Sequence, residues 1–293
     1  MSYSPNGRQN KEKGKGAVGL FNALARCLFS CALALLPGCA LFGGEERPPL
    51  RQATAEQLTA MLQEQADAVQ TIKGLFSAKI TGGILPIGQR IQGTVHYRRP
   101  GAIRLRGFTS VGSELFEFVQ ADDQFTLRLP TMGREVSGRP SQTERMGNLA
   151  RPFQLSVWAM SGVIGAQAVG AGEQVRLSED GDRYRLDVLT NSPADGSVPI
   201  VSRRIWFERR NLLVVEEERL APSGEVEASM QFEDYRVIGP DGEAPMPAQA
   251  TDKRLLRPFK IFMKDRQGSG TLQVTFVELI SNEPIKPSEL GHV

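Results

Sequence analysis

Short stretches that alternate apolar and polar side chains fill most of this chain, and they limit its possible folds more than any other feature. In "RIQGTVHYR", residues 90–98, Ile91, Val95 and Tyr97 alternate with polar residues. Successive strand residues point to opposite faces, so each stretch has one face for a core and one for water. Turn signals separate the stretches at Pro100-Gly101, Asp122-Asp123, Asp180-Gly181-Asp182 and residues 267–270. The pattern predicts an antiparallel meander or an open barrel.

Two segments have helical rather than alternating periodicity. Thr54 and Gln57 form a capping box, and a helical stripe of apolar residues follows until Gly74. The stripe consists of Leu58, Met61, Leu62, Val69 and Ile72. Residues 149–170, "LARPFQLSVWAMSGVIGAQAVG", predict a second helix in the middle of the chain. The sequence therefore predicts one α+β domain over residues 53–293.

The N-terminus reads as an export signal. Arg8, three lysines and Arg26 precede the apolar run "CLFSCALALL", which is too short to span a bilayer. "LPGCA", Leu36 to Ala40, resembles the lipobox of bacterial lipoproteins, which implies removal of residues 1–38 and acylation of Cys39. Ala40, rather than Asp, follows the cysteine, so the resemblance implies the outer membrane, on its periplasmic face. The alternative is an ordinary secretory signal with a chance cysteine.

The mature chain would begin with a tether, residues 39–52, which contains Gly-Gly and Pro-Pro and has no periodicity. Removing residues 1–38 takes away five of the 35 basic and one of the 33 acidic residues, which leaves a net charge of −2. A nucleic-acid-binding role is therefore not expected, because phosphate contacts need a basic face. Cys27 and Cys31 are removed and Cys39 is acylated, so no disulfide and no thiol nucleophile is expected.

The sequence contains no recognisable catalytic or metal-binding motif, so we predict no enzyme activity and no cofactor. His96 and His292 have no ligand cluster at metal-binding spacing, and no nucleophile elbow or phosphate-binding loop occurs. Glu216, Glu217 and Glu218 offer three carboxylates, but neighbouring strand residues point to opposite faces. We expect these three glutamates on a solvated face rather than as a paired acid and base.

One hairpin connects the sequence to a family. "RLRGFTSVGSELFEF", residues 104–118, resembles the outer-membrane lipoprotein receptors of the LolB type, relatives of the periplasmic carrier LolA. "AVQTIKGLFSAKI", residues 68–80, is similar to that family's first helix-to-strand junction, and Leu155, Trp158 and Gly162 resemble one of its helices. The resemblance covers about Ala66 to Gly165 and is limited to the strand pattern in the C-terminal half.

The resemblance implies a fold and a task. The fold is a half-open antiparallel β-barrel whose concave side is apolar and is partly closed by the N-terminal helix and the mid-chain helical insert. The task is to accept acylated lipoproteins from a LolA-like carrier and to place their acyl chains in the outer membrane. Such a receptor is a monomeric chaperone that contacts outer-membrane lipids and uses no nucleotide.

The same resemblance suggests site residues. It implies that Val111, beside Gly112 at the hairpin tip, enters the membrane, although the family usually has Leu there, and a Pro where this chain has Ser110. An additional apolar loop with Ile84, Leu85 and Ile87 could share that contact or pack under the barrel rim. Side chains of large apolar residues would line the acyl-chain cavity, or else form an ordinary core. These candidates are Tyr97, Phe116, Phe118, Val119, Phe125, Leu127, Leu129 and Trp158.

Two other functions fit the same fold. The first alternative is an envelope lipoprotein that senses lipid without transferring it, and the second is an assembly scaffold that packs on partner proteins. Co-purifying acyl chains would separate the carrier and the sensor from the scaffold. Transfer from a loaded LolA-like carrier would then separate the carrier from the sensor.

Overall fold

The computed structural model describes residues 48–81, 90–139, 151–165, 168–191, 198–239, 246–247, 253–266 and 270–291. Cys39, the loop of Ile84, Leu85 and Ile87, and His292 lie outside the described residues. Pro49–Val293 forms one compact unit. All described members of the apolar core belong to it and pack together, which favours independent folding of the unit.

An antiparallel sheet makes up most of this unit. The strands are β1 (Thr71–Thr81), β2 (Arg90–Arg98), β3 (Ala102–Phe108), β4 (Glu114–Ala121), β5 (Gln124–Leu129), β6 (Arg134–Gly138), β7 (Gln174–Asp180), β8 (Arg183–Asn191), β9 (Pro199–Glu208), β10 (Val214–Leu220), β11 (Val226–Val237), β12 (Met246–Pro247), β13 (Leu256–Asp265) and β14 (Thr271–Ser281). The helices are α1 (Ala55–Asp67), α2 (Arg151–Ile164) and α3 (Pro287–Leu290). The alternating stretches therefore form strands, as predicted, whereas β6, β12 and α3 were not anticipated.

The strands follow one path of hydrogen-bonded neighbours, β6-β5-β4-β3-β2-β1-β14-β13-β11-β10-β9-β8-β7, and β12 pairs with β11 outside this path. The sheet is not closed, because among the described strands β6 and β7 end the path without pairing with each other. This topology confirms the prediction of a half-open antiparallel barrel with few helices.

One face of the sheet is apolar along almost its whole width. Paired residues on neighbouring strands point to the same face, and buried residues alternate with half-buried or exposed ones in β1, β2, β3 and β14. Together with residues of α1 and α2, these side chains form a single apolar cluster. We call this buried side of the sheet the inner face, and the opposite side the outer face.

Helix α1 begins where the sequence predicts but ends earlier. The Thr54 hydroxyl accepts from the Gln57 amide, and the Gln57 side chain accepts from the Thr54 amide, so the capping box forms. The predicted continuation to Gly74 is wrong: α1 ends at Asp67, and Ile72 is a buried residue of β1. The apolar stripe that the sequence assigns to one helix runs from α1 through a turn into β1, and periodicity alone did not separate the two elements.

Distant side chains terminate α1. Arg257 donates to the Gln65 carbonyl at 2.6 Å, and Arg99 donates to the Ala66 carbonyl at 2.8 Å. Asn282 donates to the Ala68 carbonyl at 2.9 Å. The last carbonyls of a helix have no partner within the helix, so these three donors stabilise its end at this point.

The C-terminal segment lies against the outer face. Arg104 of β3 donates to the carbonyls of Ser288 and Glu289, and the backbone at Gly291 lies against Val119 of β4. Leu290 is buried there. Val119 is therefore an outer-face residue covered by the chain terminus, and its assignment to the cavity lining is wrong.

His96 lies on the same outer face, half-buried, and its Nδ1 has no hydrogen-bond partner among the described residues. Burial lowers the pKa of His96; Glu289 opposes this shift, whereas Arg104, Lys73 and Arg106 add to it. The unfolded chain therefore binds this proton more readily, so the stability that neutral His96 contributes is lost as the pH falls from about 6.5 through its folded-state pKa.

We expect a His96→Gln variant to lose less thermal stability than the parent between neutral and mildly acidic pH. Gln cannot take up a proton, so the part of the acid sensitivity that belongs to His96 disappears. Melting temperatures of both proteins across this pH range test the expectation, and equal losses would show that His96 does not contribute. The comparison of slopes removes the effect of carboxylates, which both proteins share.

Candidate functional site

The inner face brings six of the predicted cavity residues together. In the register, Leu105 lies opposite Phe118 and Phe118 lies opposite Leu127, so these side chains share one face. The stacked rings of Phe118 and Phe125 have centroids 5.7 Å apart. The six are Tyr97, Phe116, Phe118, Phe125, Leu127 and Leu129, and each is at most 6% exposed.

Glycines in the sheet let aromatic rings lie flat on the inner face. A Cβ atom at Gly93 would lie 2.3 Å from Cζ of Phe76, and one at Gly107 would lie 2.2 Å from Cε1 of Phe116. No real Cβ approaches another atom so closely, so any larger residue would push these rings away from the sheet. The two glycines therefore allow these rings to pack directly against β2 and β3.

Helix α2 covers part of the inner face. Ala159, Met160 and Val163 are buried in the common cluster, and a Cβ at Gly162 would lie 2.4 Å from the Phe232 ring of β11. The glycine thus allows a close approach of helix to sheet. Trp158, the seventh predicted lining residue, is half-buried and packs against the cluster from this helix.

The inner face is closed in this structure. Its apolar side chains pack against each other and against α1 and α2, and they have almost no solvent contact. The expectation of an open apolar space is thus not met at these six residues. An apolar ligand could reach them only if a covering element moved or the side chains repacked.

The inner face also contains charged groups that sequence reasoning placed elsewhere. Glu217 of β10 is 0% exposed and lies in the register between Ile205 and Met230, both of them core residues. Its Oε1 lies 2.8 Å from Nε of Arg219, whose guanidinium lies 5.9 Å from the Trp158 ring centroid. The prediction that all three glutamates are solvated is wrong for Glu217, whereas Glu216 and Glu218 point outward and pair with arginines.

The three glutamate side chains point to opposite faces of the sheet because of their positions along one strand. Side chains alternate along β10, so Glu217 points inward when its two neighbours point outward. The three carboxylates therefore do not converge, as predicted. No sequence signal distinguished Glu217, because a fully polar stretch shows no alternation.

Arg257 of β13 is the largest fully buried side chain of the described residues. It donates to the carbonyls of Arg254, Leu256 and Gln65, and its burial lowers its pKa to about 10. The guanidinium thereby joins β13 to the end of α1. Three carbonyl oxygens accept from its two terminal nitrogens, so the guanidinium acts as a structural charge at this junction.

The hairpin between β3 and β4 ends in an exposed aliphatic residue. Val111 is 84% exposed, and Gly112 has φ +84°, a left-handed conformation that favours glycine. Thr109 closes the turn through backbone bonds with Gly112 and Ser113. The structure therefore presents Val111 to the surroundings on a short, well-defined tip, as predicted.

Sequence reasoning missed a second exposed apolar residue beside this tip. Met132 is 45% exposed and lies just after β5, which ends at the same end of the sheet as the β3–β4 hairpin. A Met in a short polar connection is the only signal for it. Val111 and Met132 thus lie at the same end of neighbouring strand pairs.

The described residues contain no group of three His, Cys, Asp or Glu side chains able to hold a metal ion. Among the same residues, no helix is long and apolar enough to cross a membrane.

No protein-family model matches the sequence, and no curated protein matches it either. Solved structures do match. A LolA superfamily protein from Nitrosomonas europaea has 11% identity and a TM-score of 0.50, covering 83% of this chain and 99% of that chain. A putative outer membrane lipoprotein-sorting protein domain from Vibrio parahaemolyticus has 10% identity and a TM-score of 0.50, covering 81% and 97% respectively.

A DUF1329 family protein from Desulfovibrio piger has 11% identity and a TM-score of 0.52, covering 80% of this chain and 95% of that chain. At such low identity these similarities concern the fold. The open antiparallel sheet, its apolar inner face and its covering helix together have the LolA-like half-barrel fold.

Proposed function

We propose that this protein is an outer-membrane-anchored lipoprotein receptor that binds the acyl chains of lipoproteins at its inner face and passes them to the outer membrane. The observation that most supports the proposal is the continuous apolar inner face, wide enough to involve nearly every strand and covered by a helix. Aromatic and aliphatic side chains suit a ligand without hydrogen-bonding groups.

The physical requirement of acyl transfer explains the other features. Exposing an acyl chain to water is unfavourable by on the order of 10 kcal/mol, so the chain must pass through an apolar path. An exposed aliphatic tip, Val111, would bring that path to the membrane. The direction of transfer needs no nucleotide, because an acyl chain moves to whichever partner binds it more tightly. In this proposal the donor is a LolA-like periplasmic carrier.

Acyl binding is the first expectation to test. The Pro49–Val293 unit should bind a fluorescent fatty-acyl probe, and an excess of an acylated lipopeptide should displace the probe. If α2 moves to admit the acyl chain, binding should also increase the proteolytic sensitivity around Trp158. A unit that purifies without acyl chains and binds neither probe nor lipopeptide would contradict the carrier function and favour the assembly scaffold.

Transfer separates the carrier from the lipid sensor. In a carrier, lipopeptide loaded onto a LolA-like protein should move to the unit and then to acceptor vesicles. Binding without onward transfer would instead identify the sensor. Fluorescence of a labelled lipopeptide in each fraction measures both steps.

The anchor is tested by the Cys39→Ala variant. Without the acylated cysteine, we expect a soluble periplasmic protein, because a thioether-linked diacylglycerol and an N-acyl chain would supply the membrane attachment. Separation of periplasm, inner membrane and outer membrane measures the result. Variant protein that still fractionates with the outer membrane would contradict the anchor at Cys39.

A further inference from the structure

Exposed apolar side chains and exposed basic side chains lie together at one end of the sheet. β1, β3 and β5 end there, and β2, β4 and β6 begin there. We call this end the tip rim, defined by Lys79, Arg90, Val111, Met132 and Arg134. The hairpin with Val111 lies in the middle of this group, because β3 and β4 lie between β2 and β5 in the sheet.

Cations flank the apolar tip on both sides. Lys79 of β1 and Arg90 of β2 are exposed and lie directly opposite each other in the register. Arg134 is exposed on the other side, two residues after Met132. None of these three cations forms an ion pair with any residue that the structure describes.

The carboxylates beside the Val111 hairpin do not neutralise these cations. Glu114 is 2.7 Å from Nε of Arg106, and Glu135 is 2.9 Å from Nε of Arg128. Each acid beside the hairpin is thus paired with its own arginine, which leaves the tip rim positive. The chain after residue 38 has a net charge of −2, so the positive rim is a local feature.

We propose that the tip rim binds a membrane surface containing anionic phospholipids. Val111 and Met132 would enter the apolar boundary, and Lys79, Arg90 and Arg134 would lie among the phosphate-bearing headgroups. The proposal rests on the proposed function, since it identifies the lipid class of the acceptor membrane. An apolar point surrounded by cations matches the layered chemistry of such a surface.

Charge also gives the docking a direction. A negatively charged protein is repelled from an anionic membrane as a whole, whereas its positive rim is attracted. The field would therefore orient the protein with the Val111 hairpin toward the bilayer. Each cation near an anionic surface strengthens binding about fivefold, which corresponds to about 1 kcal/mol.

The test uses the Pro49–Val293 unit and its partition onto vesicles of phosphatidylcholine, with or without phosphatidylglycerol. We expect Lys79→Gln/Arg90→Gln to lose about 25-fold in binding to the anionic vesicles, roughly fivefold per cation. Binding to pure phosphatidylcholine should stay unchanged. High salt should remove the difference between parent and variant, because salt screens exposed charges.

The control variant is Arg51→Gln/Arg98→Gln, which removes the same charge from exposed positions at the opposite end of the sheet. Equal losses in the two double variants would overturn the proposal, because net charge alone would then explain binding. No loss in the Lys79 and Arg90 variant would also overturn it. A unit that binds the acyl probe but shows either result retains the carrier function, whereas rim-dependent vesicle binding without probe binding contradicts the carrier function alone.

Discussion

The Val111→Glu variant is expected to keep its fold and to deliver acyl chains to membranes about tenfold to a hundredfold more slowly. Burying a valine side chain is worth roughly 1.5–3 kcal/mol, and all of it is lost when a carboxylate replaces the valine. The carboxylate adds a desolvation cost, and it is repelled by anionic headgroups. Transfer of a labelled lipopeptide from the loaded unit to vesicles measures the effect.

Replacement of Val111 is not expected to disturb folding. Val111 is 84% exposed, so its replacement should change the free energy of unfolding by no more than about 0.5 kcal/mol. Val111→Leu is the matched variant, since it enlarges the apolar tip and should transfer at least as fast as the parent. Unchanged delivery by Val111→Glu would remove Val111 from the mechanism and direct attention to Ile84, Leu85 and Ile87.

The Phe118→Ala variant is expected to lose about 3–5 kcal/mol of unfolding free energy, as usual for a buried phenylalanine. Phe118 is 5% exposed and stacks on Phe125, so the truncation leaves an apolar cavity on the inner face. An acyl ligand that occupies the inner face should fill this cavity. We therefore expect saturating fatty-acyl probe to raise the melting temperature of the variant more than that of the parent.

Leu75→Ala provides the control, because Leu75 lies exposed on the outer face of β1. It should change stability little and should respond to the probe as the parent does. Equal probe-induced stabilisation of Phe118→Ala and the parent would show that the β4–β5 region is a solid core. The acyl path would then lie elsewhere on the inner face.

The two variants examine different halves of the same mechanism. Val111 concerns release to the membrane, and Phe118 concerns retention inside the protein. A loss of transfer with normal probe binding would locate the defect of Val111→Glu at the membrane step. Comparison of binding and transfer in each variant therefore separates the two steps.

Local sequence was sufficient to predict most of the strands and the start of α1. Alternation predicted the strands, and turn residues such as Asp122 and Gly181, which have φ of 53° and 61°, predicted where many strands connect. The capping box at Thr54 and Gln57 predicted the start of α1. The exposed position of Val111 followed from its place at a hairpin tip. All these features depend on residues within a few positions of each other.

Local sequence did not determine which face of the sheet a residue occupies where apolar residues are adjacent. Phe118 and Val119 are adjacent and apolar, yet one faces the inner cluster and the other lies under Gly291. Two consecutive apolar residues give no alternation that would identify the inner face. Only the C-terminal segment, more than a hundred residues away in the chain, determines that Val119 is covered at all.

The sequence by itself determined the type of most elements, most turns, the start of α1 and the apolar surplus of the sheet, because these follow from backbone periodicity and nearby side chains. The tertiary structure decided which face became the interior, where α1 ends and that Glu217 is buried. These outcomes depend on contacts between residues far apart in the chain, such as Arg257 with Gln65 and Gly162 with Phe232. The free energy of such contacts exists only after the sheet has formed, so no short window of sequence contains it.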